Sequence, residues 1–198
     1  MHRLGKALCM LAVVACLGAT AYPARAAQDA GARSVLHYGD SLAVGTGIFL
    51  PAYLRGWSLR QSTNVSLHAF DGSQALAAER STLPRVIVVS LGTNDDPGAV
   101  GAFGRSVRDV IRTAGPTRCV IWSTVVRPPY NGVSYDGYNR VLRRDARAYA
   151  TFHIFDWQAM ARANPQWFGS DGVHPTATGY RARAAALAKL IKACPASR

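Results

Sequence analysis

Lysine is nearly absent from this chain: three lysines stand beside 20 arginines among 198 residues. Acids are scarce as well, at 11, so the formal charge is +12. Yet the basic residues nowhere gather into a run of five, which argues against a nucleic-acid-binding arm. Cysteine is rare too. Cys9, Cys16, Cys119 and Cys194 lack the paired spacing of a zinc site, so no metal is expected. No repeat and no low-complexity linker divides the chain, which reads as one domain of ordinary size. Beyond residue 26 no apolar stretch is long enough to span a bilayer.

The first segment has a character of its own. Arg3 and Lys6 precede an apolar run from Ala7 to Leu17, and Ala24-Arg25-Ala26 forms a small-x-small cleavage site. That pattern predicts a secretory signal over residues 1–26 and a domain over 27–198. Val13-Val14-Ala15-Cys16 resembles a lipoprotein lipobox, so a lipid anchor on Cys16 is the competing ending. Residues 27–198 hold 20 basic and 11 acidic side chains, a charge of +9. They are expected to be secreted, periplasmic or held in the cell envelope, weakly attracted to anionic envelope polymers. In an oxidising compartment Cys119 and Cys194 are expected to form a disulfide.

Strands and helices alternate along the domain. Val35 to Gly39 reads as a buried first strand, followed by a helical segment over residues 41–54. Val65 to Phe70 alternates well enough for a second strand, ending at Asp71-Gly72, with a helix capped by Ser73 after it. Arg85 to Leu91 is the clearest buried strand, and Asp96-Pro97 is expected to open the next helix. Cys119 to Thr124 and Phe152 to Phe155 read as strands four and five, separated by a helix from about Asp136 to Ala150. A last helix is expected from Ala177 to about Ala193. The pattern predicts a three-layer αβα sandwich with a mainly parallel sheet of five strands.

Polar residues gather where these strands end, at the edge where such sheets open their crevice. Ser41 follows strand one, Gly72 strand two, Asn94 strand three, and Asp171 with His174 strand five. A serine that attacks an acyl group needs a base, a partner to orient that base, and donors for the developing oxyanion. His174 suits the base and Asp171 its partner. The Asn94 amide and the N–H groups of Ser41 and Gly72 suit the oxyanion hole. The Gly-x-Ser-x-Gly elbow of another hydrolase class is absent, because Ala43 replaces its second glycine.

The arrangement resembles the SGNH, or GDSL, hydrolase family. Gly39-Asp40-Ser41-Leu42 matches its first block and Gly92-Thr93-Asn94-Asp95 its third. Asp171-Gly172-Val173-His174-Pro175 matches its last block, and Gly72 is the candidate for its second. The resemblance implies a flavodoxin-like sheet and an esterase, lipase or acyltransferase working through an acyl-enzyme on Ser41, without a cofactor. Length and the Trp167-Phe168 pair are most similar to the extracellular domains of peptidoglycan O-acetyltransferases and to small envelope esterases. Small esters or acylated glycans are the expected substrates.

Other candidates read more plainly. Tyr130, Trp167 and Phe168 are equally suited to lining a substrate pocket and to core packing. His37, His68 and His153 read as structural histidines, and Asp156 as a rival partner for His174. Asp145 falls among the apolar positions of its helix and is expected either near the edge of that stripe or paired with a cation from elsewhere. A non-catalytic envelope-binding module is an alternative, but it predicts a broken residue set, and none of the four is missing. A flavin- or nucleotide-binding protein would need a phosphate loop where Gly39 to Leu42 stands.

Overall fold

The computed structural model describes residues 33–194; the leader and its lipobox lie outside the described residues. Five strands, β1 (Ser34–Gly39), β2 (Ser58–Thr63), β3 (Val86–Ser90), β4 (Cys119–Ser123) and β5 (Phe152–Phe155), form one sheet. Its order is β2-β1-β3-β4-β5, and every pairing is parallel. This is the doubly wound, flavodoxin-like order, whose crevice opens at the switch between β1 and β3. Helices α1 (Ser41–Tyr53), α2 (Ala69–Ala78), α3 (Val100–Ala114), α4 (Asp136–Ala148), α5 (Trp157–Ala163) and α6 (Ala177–Ala193) cover the two faces.

Strand side chains alternate between two cores because successive Cβ atoms point to opposite faces. Leu36, Ile87, Val89, Val120, Trp122 and Phe152 pack under α2, α3 and α4. Val35, Val86, Val88, Ile121 and Phe155 pack under α1, α5 and α6. The α3 face contributes Phe103, Val107, Val110 and Ile111 at helical spacing. At the amino edge of the sheet Cys119 opens β4 and is disulfide-bonded to Cys194 at the end of α6, with Cα atoms 6.2 Å apart. Buried Asp145 of α4 is met by Arg144 and, from α3, by Arg108 at 3.7 Å. Among the described residues no helix is long and apolar enough to cross a membrane.

The second strand is not where the sequence pattern puts it. Residues 65–70 hold no strand: Ser66 is left-handed at φ 60°, Val65 and Phe70 are exposed, and α2 begins at Ala69. The strand is Ser-Leu-Arg-Gln-Ser-Thr over 58–63, an edge strand with three residues exposed, three half-buried and none buried, and hence no apolar signature. Ser73 caps nothing; it lies buried within α2 and donates to the Phe70 carbonyl at 2.8 Å. Asp96 caps a turn through the Gly98 N–H, and α3 opens only after Ala99.

Candidate active site

Asp40 ends β1 and begins α1. Its backbone N–H donates to the Ser90 carbonyl of β3 at 3.0 Å, and its carboxylate accepts from Leu42 N–H at 3.0 Å. The two strands approach so closely here that a side chain at Gly39 would run into the Ser90 carbonyl. Ser41 thus occupies the first position of a fixed helix at the switch point.

The loop between α5 and α6 brings the histidine to it. Ser41 Oγ lies 2.9 Å from His174 Nε2, and His174 Nδ1 lies 2.7 Å from Asp171 Oδ2. Asp171 Oδ1 also accepts the N–H groups of Val173 and His174, at 2.9 and 3.0 Å. The hydrogen bond from His174, then these two N–H groups, hold the Asp171 carboxyl well below the usual carboxylate range. An ionised Asp171 accepts from Nδ1–H, which leaves Nε2 to accept from the Ser41 hydroxyl. The Phe168–Pro175 bridge and a bond from Gly169 N–H to the His174 carbonyl at 3.1 Å close the loop.

Asn94 shares a cavity of about 360 Å³ with Ser41, His174, Arg127, Pro128 and Tyr130. One N–H of its amide reaches the Leu67 carbonyl at 3.4 Å. The turn before it needs Gly92, whose φ of +113° lies in the region that favours glycine. Asp95, next along, accepts Ala69 N–H at 3.1 Å and so ties this turn to the start of α2.

Gly72 is not among these groups. It lies inside α2 rather than beyond a strand, and its N–H donates to the His68 carbonyl at 3.0 Å. A helical N–H already committed to its own helix is not a donor for an oxyanion. Trp167 also belongs elsewhere: its ring stacks on Trp157 at 6.0 Å in the core behind the loop. Phe168 packs beside Trp157 and borders an adjoining cavity, whereas Tyr130 stands half exposed at the rim near Ser41. Asp156 is taken by Arg143, at 2.7 and 3.0 Å, and caps α5.

A second polar group lies underneath. Arg183 of α6 is buried, donating to Thr46 Oγ1 of α1 at 3.0 Å and to Ser90 Oγ of β3 at 2.9 Å. Its guanidinium carbon rests over Trp157 at 4.9 Å and Phe155 at 5.3 Å. Burial pulls the Arg183 pKa down to about 10, partly opposed by Asp40 and Tyr180, so it stays charged at neutral pH. Burial raises Asp40 to about 6, against the lowering effects of Leu42 N–H, Arg183 and Thr93. His37, buried on the same face, is lowered to about 4 by burial and by Arg183, and is neutral. Sequence reading missed Arg183, although it stands in phase with buried Leu187 and Ile191 on α6.

The family model for GDSL-like lipases and acylhydrolases matches residues 18–182, and the chain belongs to that family. Membership puts it among enzymes that act on ester bonds. No curated protein matches it by sequence. Among solved structures it is similar to the C-terminal catalytic domain of peptidoglycan O-acetyltransferase A from Streptococcus pneumoniae. That match has 20% identity, a TM-score of 0.65, and covers 81% of this chain and 90% of that one. A G-D-S-L family lipolytic protein from Veillonella parvula matches with 16% identity and a TM-score of 0.66, over 80% and 98% of the two chains. A family 3 carbohydrate esterase from Clostridium thermocellum matches with 14% identity and a TM-score of 0.61, over 81% and 97%.

Proposed function

We propose that residues 27–198 form an exported serine esterase that works through an acyl-enzyme on Ser41. The observation that carries this is the unbroken hydrogen-bond line from Ser41 Oγ through His174 to Asp171 at 2.9 and 2.7 Å. His174 Nε2 takes the Ser41 proton as Oγ bonds to the ester carbonyl carbon, and Asp171 stabilises the imidazolium. The carbonyl oxygen becomes the oxyanion, facing the Ser41 N–H and the Asn94 amide as donors. His174 then returns the proton to the leaving alcohol. In the second half His174 activates a water, whose oxygen bonds to the acyl carbon; Oγ departs and recovers the proton.

Export rests on the leader and is supported by the oxidised pair Cys119–Cys194. Hydrolysis of 4-nitrophenyl acetate, butyrate and octanoate beside Ser41→Ala tests the reading. Activity in the parent and its loss in the variant are expected, and equal inactivity of both would overturn simple ester hydrolysis. The chain-length profile sorts an acetyl-sized pocket from a lipase-like groove.

A second reading is O-acetyl transfer or deacetylation on cell-envelope glycans. The structural likeness to an O-acetyltransferase domain and to a carbohydrate esterase favours it, together with the half-exposed Tyr130 ring at the cavity rim. Acetyl transfer to a glycan acceptor in competition with water separates the two.

A further inference from the structure

We infer that Arg127 is a recognition site for an anionic group, carboxylate or phosphate, carried by the substrate close to the ester. The inference rests on Ser41 being the nucleophile and deepens that reading by naming a substrate class. Three concave regions, of about 360, 430 and 490 Å³, meet at the crevice, and Arg127 is the one residue lining all three. The smallest holds Ser41 and His174; the largest shares Asn94, Arg127 and Tyr130 with it, and the third shares Arg127.

The guanidinium is held but not neutralised. One N–H donates to the Thr93 carbonyl at 2.5 Å, directly before Asn94. Among the described residues none of the ion pairs includes Arg127, whereas Arg143 on α4 is met by Asp156 and Arg60 on β2 by Glu79. The acids lining these regions are engaged elsewhere: Asp171 with His174, Asp95 with Ala69 N–H, Asp96 with Gly98 N–H, Asp136 with Gln158. An arginine fork facing a cleft without a carboxylate partner is suited to a bidentate anion.

The loop that carries Arg127 is held at both ends by hydrogen bonds, which limits the order lost on binding. The Asn139 side chain clamps both backbone groups of Val125, accepting from its N–H at 2.8 Å and donating to its carbonyl at 2.9 Å. Pro128 and Pro129 follow, and Pro128 packs against Gly172, beside Asp171. Tyr130 and Val133 then exchange two backbone bonds, at 3.0 and 2.9 Å, across a left-handed Asn131-Gly132 pair.

The test uses matched esters differing in one charge: 4-acetoxybenzoate beside its methyl ester, and 4-nitrophenyl hemisuccinate beside its methyl ester. These place the anion on the alcohol side and the acyl side. The readout is the ratio of kcat/KM for the anionic member to that for the neutral member. In the parent the ratio is expected to favour the anion on at least one side, and Arg127→Gln to lower it by roughly 10- to 100-fold. Arg127→Lys keeps part of the preference and Arg127→Glu reverses it, which a loss of loop structure alone does not do. Hydrolysis of all four esters with no anionic preference, or with one that survives in Arg127→Gln, overturns the role of Arg127 and leaves the esterase reading intact. Hydrolysis of none overturns both.

Discussion

Two acidic groups flank the same serine in opposite environments. Asp171 sits half exposed on a surface loop, and hydrogen bonds from His174 and two N–H groups lower its pKa. Asp40 sits fully buried one residue before Ser41, and desolvation raises its pKa to about 6 even with Arg183 nearby. The difference follows from what each carboxylate is offered. A solvated carboxylate with three donors gains by ionising, whereas a buried one with fewer donors must be kept charged by its neighbours. In the proposed mechanism the exposed group orients His174, and the buried group, through its bond from Leu42 N–H, fixes the turn that presents Ser41.

Removing the chemical end of this comparison has the largest effect. Ser41→Ala is expected to lower kcat by about 10⁶-fold, and Asp171→Asn by about 10⁴-fold with little loss of stability. Steady-state kinetics beside urea unfolding tests both; an Asp171→Asn enzyme that keeps full activity would break the assignment. Next comes the buried end. Arg183→Met removes the nearby cation that helps keep Asp40 charged and leaves the Thr46 and Ser90 hydroxyls without their buried donor, so a loss of about 2–4 kcal/mol is expected in urea unfolding. Additional Asp40→Asn should return part of it, since a neutral amide keeps the cap without the charge.

The disulfide lies at the amino edge of the sheet, away from Ser41. With its cysteines 75 positions apart in the sequence, the chain-entropy view sets a ceiling of about 4 kcal/mol on its contribution. Cys119→Ala with Cys194→Ala should lower the Tm while leaving kcat/KM unchanged; a large activity loss would show that the two edges are coupled.

The smallest effect discriminates best, because the two acids have opposite signs. Asp171 has a lowered folded pKa, so its contribution is complete above the ordinary carboxylate range and fades as pH falls through the folded value. Asp40 binds its proton more tightly folded than unfolded, so it costs stability as pH rises from about 4 to about 6, by about 3 kcal/mol in all. Unfolding midpoints across this window, compared with Asp40→Asn, should show the variant losing that decline. A parent curve parallel to the variant's would mean that Asp40 ionises freely.

The same contrast between exposed and buried accounts for what was legible in the sequence. Strands β1, β3 and β4 are buried almost throughout, and edge strand β5 buries Phe152 and Phe155 on opposite faces, so these four show as apolar runs and most of the sheet could be read directly. Edge strand β2 has a polar composition and could not, and that misplacement carried Gly72 with it. The approach of Ser41, Asn94, Asp171 and His174 is legible because each follows a strand of a parallel sheet, or the loop beyond one. Arg183 was hidden because an arginine two residues from Arg181 in an alanine-rich helix looks solvated until its phase with Leu187 and Ile191 is noticed. Trp167 and Phe168 were ambiguous for a different reason: aromatic residues beside a site pack behind it as readily as they line it.

The most direct test of the central claim is covalent. The protein is treated with an alkyl fluorophosphonate and its mass measured intact and after digestion. A single adduct on the peptide carrying Ser41 is expected, absent in Ser41→Ala and formed much more slowly in His174→Ala. No adduct, or one on another residue, would contradict Ser41 as the nucleophile.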